Sequence, residues 1–159
     1  MNLLVKNLEL LSGTNDIGGE EIYWELVRDA EAGAADQRPV VVLSHGAGGS
    51  HAAWYQQVPE IGQQYRVLTW DSRGFGNSTN QTGQLAPTNA ANDLAAVLDH
   101  LEISEAHLVG QSMGGWHVSA FLSLFSERVR SVTYAAVSYT HLRAHETDSY
   151  LVCRLLLEK

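Results

Sequence analysis

The chain predicts an α/β fold, a doubly wound and mostly parallel sheet, from three observations. Apolar stretches of strand length alternate along the chain with stretches of helical periodicity. One of them, Val40–Leu43, is apolar without alternation, as expected of a strand covered on both faces. Three of the apolar stretches run directly into glycine-rich turns, at Gly46, Gly74 and Gly110.

The elements follow in order. Leu3–Leu10 and Glu20–Arg28 read as two opening strands, the second alternating through Ile22, Trp24 and Leu26. Asn15-Asp16 and Gly18-Gly19 supply turn chemistry between them, which predicts an antiparallel pair. Glu31 to Arg38 is small and polar, hence a loop, and Val40–Leu43 is the next strand. Ala52 to Gln64 reads as helical, with Trp54, Val58 and Ile61 toward the sheet and Pro59 marking a kink or restart. Tyr65–Trp70 is a strand. Thr88 to Glu102 is the clearest helix, with Leu94, Val97, Leu98 and Leu101 on one face and Thr88 as N-cap. Ala106–Val109 is a buried strand, and Trp116 to Arg128 a helix with Trp116, Ala120, Phe121 and Leu124 as apolar positions. Val129–Ala136 closes the series, and right-handed crossovers connect the parallel strands.

Three motifs sit at strand ends. The first is Ser44-His45-Gly46-Ala47-Gly48-Gly49, and the second is Asp71-Ser72-Arg73-Gly74-Phe75-Gly76-Asn77-Ser78. The third, Gly110-Gln111-Ser112-Met113-Gly114, is a Gly-x-Ser-x-Gly between a strand and a helix, the setting of a nucleophile elbow. Gly110 and Gly114 let the turn close without a Cβ clash. The helix N-terminus aims N–H groups and its positive dipole end at the serine. Ser112 is therefore the candidate nucleophile, with a positive φ expected of it.

Together these motifs resemble the α/β-hydrolase superfamily, in the branch of small-molecule serine hydrolases, over about residues 20 to 136. The resemblance implies the sheet order 65–70, 39–44, 106–110, 129–135. It also implies an oxyanion hole from the backbone N–H groups of Met113 and Ala47, with Gly46 in the loop that carries Ala47. His45 props that loop, and Asp71 and Arg73 hold the second turn by hydrogen bonds and an ion pair. The activity implied is hydrolysis of a small organic substrate, an ester, lactone or carbon–carbon bond. The alternative is a non-catalytic binding or signalling member of the same fold. In the family the sheet has more strands, and the order of the triad is Ser, then acid, then His. Acid and histidine are thus expected after residue 136, and this chain is expected to be inactive as it stands.

Residues 137–159 resemble one reading frame of a translated sequencing adapter. Val137–Thr147 and Leu151–Leu157 match its constant parts and Asp148-Ser149 its variable index. The domain is therefore expected to cover 1–136 and the tail to be non-native, although its leucines favour a helix over Leu151–Leu157. His141, His145 and Asp148 then form no catalytic group.

The tail is charge-neutral, since Arg143, Arg154 and Lys159 balance Glu146, Asp148 and Glu158. The net charge of −8 thus resides in residues 1–136, and the single cysteine, Cys153, lies in the tail. An acidic chain with no basic stripe argues against nucleic acid. No apolar run reaches membrane-spanning length, and Met1 to Leu11 lacks a small-residue cleavage site. A cytoplasmic protein with a small-molecule substrate is expected, without cofactor or metal, because no Cys or His pair has ligand spacing. His51, His100 and His107 read as ordinary surface or packed histidines, and His117, five residues beyond Ser112, is turned away from the serine on a regular helix. Nothing in the pattern specifies an oligomeric state.

Overall fold

The computed structural model describes residues 6–135 and the backbone of one further strand, 152–156. Seven strands form one sheet in the order β1-β2-β4-β3-β5-β6-β7, where β1 is Leu8–Ile17, β2 Glu20–Asp29, β3 Val40–Ser44, β4 Arg66–Trp70, β5 Ala106–Gln111, β6 Val129–Ala135 and β7 Val152–Leu156. The inner four, β4-β3-β5-β6, are parallel and stand in the expected order. The sheet is flanked by α1 (Gln57–Gly62), α2 (Pro87–His100) and α3 (Met113–Leu124).

The first hairpin differs from its expected limits. β1 starts at Leu8 and runs through Asn15-Asp16, and the turn is Gly18-Gly19 alone. Both glycines have positive φ, 62° and 86°, the requirement of a two-residue hairpin turn matching strand twist. Asn15 stays in the strand, where its Oδ1 accepts a hydrogen bond from Trp24 Nε1 at 3.0 Å.

The apolar run of β3 divides between two cores. Val40 and Val42 face α2 and α3, packing with Leu68, Leu94, Leu98, Leu108 and Phe121. Val41 and Leu43 face the other side, with Val27, Trp54 and Val67 and the half-buried Val58 and Ile61. Side chains of this size stabilise by about 1.5–3 kcal/mol each when fully buried, which fixes β3 at the centre.

The helices depart from expectation at their ends. The stretch after Ser50 breaks into a 3-10 turn, His51–Trp54, and the short α1. Pro59 lies in the first turn of α1, where its missing N–H costs nothing. Thr88 is not an N-cap, because Ala86 occupies that position and Pro87 is the first helical residue. α3 begins at Met113 and buries Gly114, Gly115, His117, Val118 and Phe121. Trp116 and Leu124 point to solvent, at 56% and 48% exposure. The glycines bring this helix so close to β3 that its inner face starts at Gly114 rather than at the tryptophan.

The expected helix over Leu151–Leu157 is instead the strand β7, antiparallel to β6 with Ala135 opposite Val152 and Ser131 opposite Leu156. The free edge of β6 offers a row of unpaired backbone groups, and pairing there overrides leucine's helical preference. The remainder of 137–159 lies outside the described residues.

Candidate functional site

The C-terminal ends of β3, β4 and β5 converge, and each carries one of the three motifs. Ser112 follows β5 directly and is the N-cap of α3, with φ 49° and ψ −116°. Its N–H donates to the Ala135 carbonyl at 3.1 Å, and its carbonyl accepts from Gly115 N at 2.9 Å. The backbone is thereby held on both sides in a conformation that costs about 1–3 kcal/mol for a side chain to adopt. The Ser112 side chain is exposed, and no described residue is hydrogen-bonded to it.

Two glycines make the turn possible by close approach. A Cβ on Gly110 would lie 2.5 Å from the Gly114 carbonyl oxygen, and one on Gly114 would lie 2.2 Å from the Ser44 carbonyl oxygen. The helix start is thus pressed against both β5 and β3. The loop after β3 overhangs the serine, since a Cβ on Gly46 would stand 3.2 Å from Ser112 Cβ. Ala47 follows at the exposed crest of that loop. Met113 is the first residue of α3, so its N–H is one of the donors that the helix leaves without an internal acceptor.

His45 is 1% exposed and fully engaged. Its Nδ1 donates to the Gly46 carbonyl at 2.8 Å, and Nε2 accepts from Ser72 N at 3.1 Å. Burial pushes its pKa down, against the favourable Gly46 hydrogen bond. The ring ties the β3 loop to the β4 loop and is turned to backbone, with Phe75 packed 5.4 Å away.

Asp71, fully buried, is the hub of the second turn. Its Oδ2 accepts from Asn77 N at 2.8 Å, both oxygens face His51 Nδ1 at 2.9–3.0 Å, and its carbonyl accepts from Ser78 Oγ at 2.7 Å. Arg73 pairs with Asp93 of α2 rather than with Asp71, through two bonds of 2.6 and 2.8 Å. That charge-assisted pair raises the guanidinium's pKa further. Glu20 anchors the following loop by accepting from the backbone N–H groups of Gln81 and Thr82 and from the hydroxyls of Thr79 and Thr82. The Thr82 bonds lead in holding its carboxyl down at about 2.

His51 is more specialised than an ordinary packed histidine, and His117 is buried away from the serine. His51 Nδ1 is oriented by Asp71, its Nε2 lies 3.5 Å from Glu25, and its ring packs on Tyr23. This grouping links residues far apart in the chain, so no local pattern could reveal it. His117 is 4% exposed, packs on Trp70, and its Nδ1 has no hydrogen-bond partner. Burial, assisted by His45, pushes its pKa down to about 4. It borders a cavity of about 60 Å³ with Ser72, Phe75, Leu85 and Met113. Neither ring is hydrogen-bonded to Ser112. Among the described residues no group of three His, Cys, Asp or Glu side chains could hold a metal ion, and no helix is long and apolar enough to cross a membrane.

Comparison with known proteins agrees with this geometry. Residues 39–150 match the family model for the alpha/beta hydrolase fold. The chain is 38% identical over 104 residues to 3-oxoadipate enol-lactonase 1 of Acinetobacter baylyi, covering 63% of this chain and 37% of that protein. It is 34% identical over 117 residues to a protein of Bacillus subtilis named as an uncharacterized carboxylesterase, covering 72% of this chain and 38% of that one. Among solved structures, the enol-lactonase of Burkholderia xenovorans LB400 superposes with a TM-score of 0.69 at 27% identity, over 76% of this chain and 45% of that chain. The chain thus spans less than half the length of each of these relatives. With three motifs at the ends of adjacent parallel strands and a family model that matches most of its length, the chain belongs to the alpha/beta hydrolase fold family.

Proposed function

We propose that this chain is the N-terminal part of a serine-dependent hydrolase acting on a small organic substrate, an ester, lactone or activated carbon–carbon bond. The observation that carries the reading is Ser112 at φ 49° on a helix N-cap, with an exposed side chain and the Gly46–Ala47 loop above it. Relatives named as enol-lactonase and carboxylesterase support the substrate class.

In this reading Ser112 Oγ attacks the substrate carbonyl carbon, its proton passes to a base, and the carbonyl π pair moves to oxygen. The oxyanion is met by the N–H groups of Met113 and Ala47 in a preorganised site. Collapse expels the leaving group with the base's proton, and water then releases the acyl group from Ser112. Gly46, Gly110 and Gly114 allow the close approach, while Asp71 and Arg73 hold the neighbouring turn. Base and acid come, by family resemblance, from sequence continuing after β6 in the parent protein, and residues 137–159 are read as a non-native tail whose strand β7 pairs with the open edge of β6. The 159-residue chain is accordingly a poor catalyst, because no described histidine meets Ser112.

The test is hydrolysis of nitrophenyl acetate by three proteins: the 159-residue chain, a parent recovered by sequencing through codon 136, and that parent carrying Ser112→Ala. The parent turns over, and Ser112→Ala lowers kcat by about a thousandfold or more. The short chain stays near the buffer rate. Parent turnover indifferent to Ser112→Ala overturns the nucleophile. Rapid turnover by the short chain overturns the missing base.

A further inference from the structure

The opposite edge of the sheet carries an arrangement that the hydrolase reading leaves unused. The parallel strands begin there, at Val40, Arg66, Ala106 and Val129, about 20 Å from Ser112 at ~3.3 Å per strand residue. A polar cavity of about 180 Å³ opens between these strand starts and the α2–β5 connection, lined by Arg38, Arg66, Arg130, Glu102, Ser104 and Glu105 among others.

Every described lysine and arginine has a carboxylate partner except Arg66. Lys6 pairs with Asp29, Arg28 with Glu9, Arg38 with Asp36, Arg73 with Asp93, Arg128 with Asp99 and Arg130 with Glu105. In a chain with 18 acidic and 10 basic residues, a half-buried arginine with no carboxylate partner among the described residues is unexpected. Its placement is nevertheless specific. The Arg66 Nε donates to the Arg38 carbonyl at 2.9 Å, and its backbone N–H donates to the Pro39 carbonyl at 3.0 Å. With Nε tied, the two terminal nitrogens keep their N–H groups free, in the forked geometry suited to an oxyanion. Burial pushes the guanidinium's pKa down, as befits a cation lacking a counterion, with Asp36 opposing that shift.

We propose that this cavity is a binding site for a small tetrahedral oxyanion, inorganic phosphate or a phosphomonoester, held by the free edge of Arg66 with Arg38 and Arg130 beside it. The cavity's volume is more than ten times the ~10–15 Å³ that holds one water, enough for such an anion with part of its hydration. Glu105, engaged by Arg130, and the exposed Glu102 place negative charge around the cavity. They disfavour extended polyanions and favour a compact ligand.

The test is ³¹P line broadening of inorganic phosphate and, separately, phenyl phosphate, titrated with the 159-residue chain in buffered sodium chloride. Saturable broadening is expected with at least one probe, and the better-bound probe tells free phosphate from phosphomonoester. Ser112→Ala leaves binding unchanged, so the result is independent of the hydrolase reading. Arg66→Gln weakens binding at least tenfold. Arg66→Lys, which keeps the charge but loses the fork, weakens it severalfold and serves where Arg66→Gln does not fold. Absence of saturable broadening with both probes, or equal affinity in the Arg66 variants, overturns the site.

Discussion

The orphaned imidazole of His117 makes stability depend on pH in a window that few other groups share. Its pKa falls from 6.5 to about 4 because burial penalises the charged form. Between those values the unfolded chain binds a proton that the folded chain refuses, so stability rises with pH and is lost on acidification. The full difference, at about 1.36 kcal/mol per pH unit, is about 3 kcal/mol. At pH 5 about 2 kcal/mol of it is gone. Glu20 contributes with the same sign but lower, since its carboxyl is held at about 2 against an ordinary 4.5, and its share is lost only as pH falls through that range. His45, also depressed by burial, adds to the slope, so the informative quantity is the difference made by one residue. His117→Phe removes the titration and the unpaired Nδ1 together, and the adjoining cavity gives the larger ring room. Urea unfolding followed by tryptophan fluorescence at pH 7.5, 6 and 5 measures both proteins. The parent residue gives a decline of about 2 kcal/mol more than the variant between pH 7.5 and 5. Parallel declines would refute the reasoning, because they would mean that His117 takes up its proton in the folded state.

Three further substitutions probe the site's construction. Gly114→Ala forces a Cβ to within 2.2 Å of the Ser44 carbonyl oxygen in a packed strand, so the denaturant midpoint falls by the equivalent of about 1–3 kcal/mol or more. Ser112→Gly relieves the positive φ and raises stability by about 1 kcal/mol in the same assay, at the expense of the nucleophile. Arg73→Ala strands the fully buried Asp93 and destabilises by about 3–5 kcal/mol, with a smaller loss when Asp93→Leu accompanies it.

What could be read from the residues was whatever local pattern dictates. The unbroken apolar run at Val40–Leu43 placed a strand at the sheet centre, and its two faces feed two cores. The Gly-x-Ser-x-Gly spacing placed Ser112 at a strand-to-helix turn with positive φ. What escaped reading depends on tertiary context. Trp116 looks like a core residue on a helical wheel, yet the approach of Gly114 to β3 rotates it outward. Thr88 is a fair N-cap by type, but Pro87 before it starts the helix two residues earlier than that cap would. The partners of Arg73 and His51 lie 20 residues away across loops, and no spacing rule reaches that far. Strand β7 owes its conformation to the open edge of β6, not to its own leucines.

The most direct measurement of the central claim identifies the residue that becomes covalently modified. Treating the parent hydrolase with a fluorophosphonate and sequencing its peptides by mass spectrometry locates the adduct. A phosphonyl group on the peptide carrying Ser112, absent after Ser112→Ala, is the predicted result. An adduct on another serine, or ester hydrolysis by a protein that the probe leaves unmodified, would contradict it.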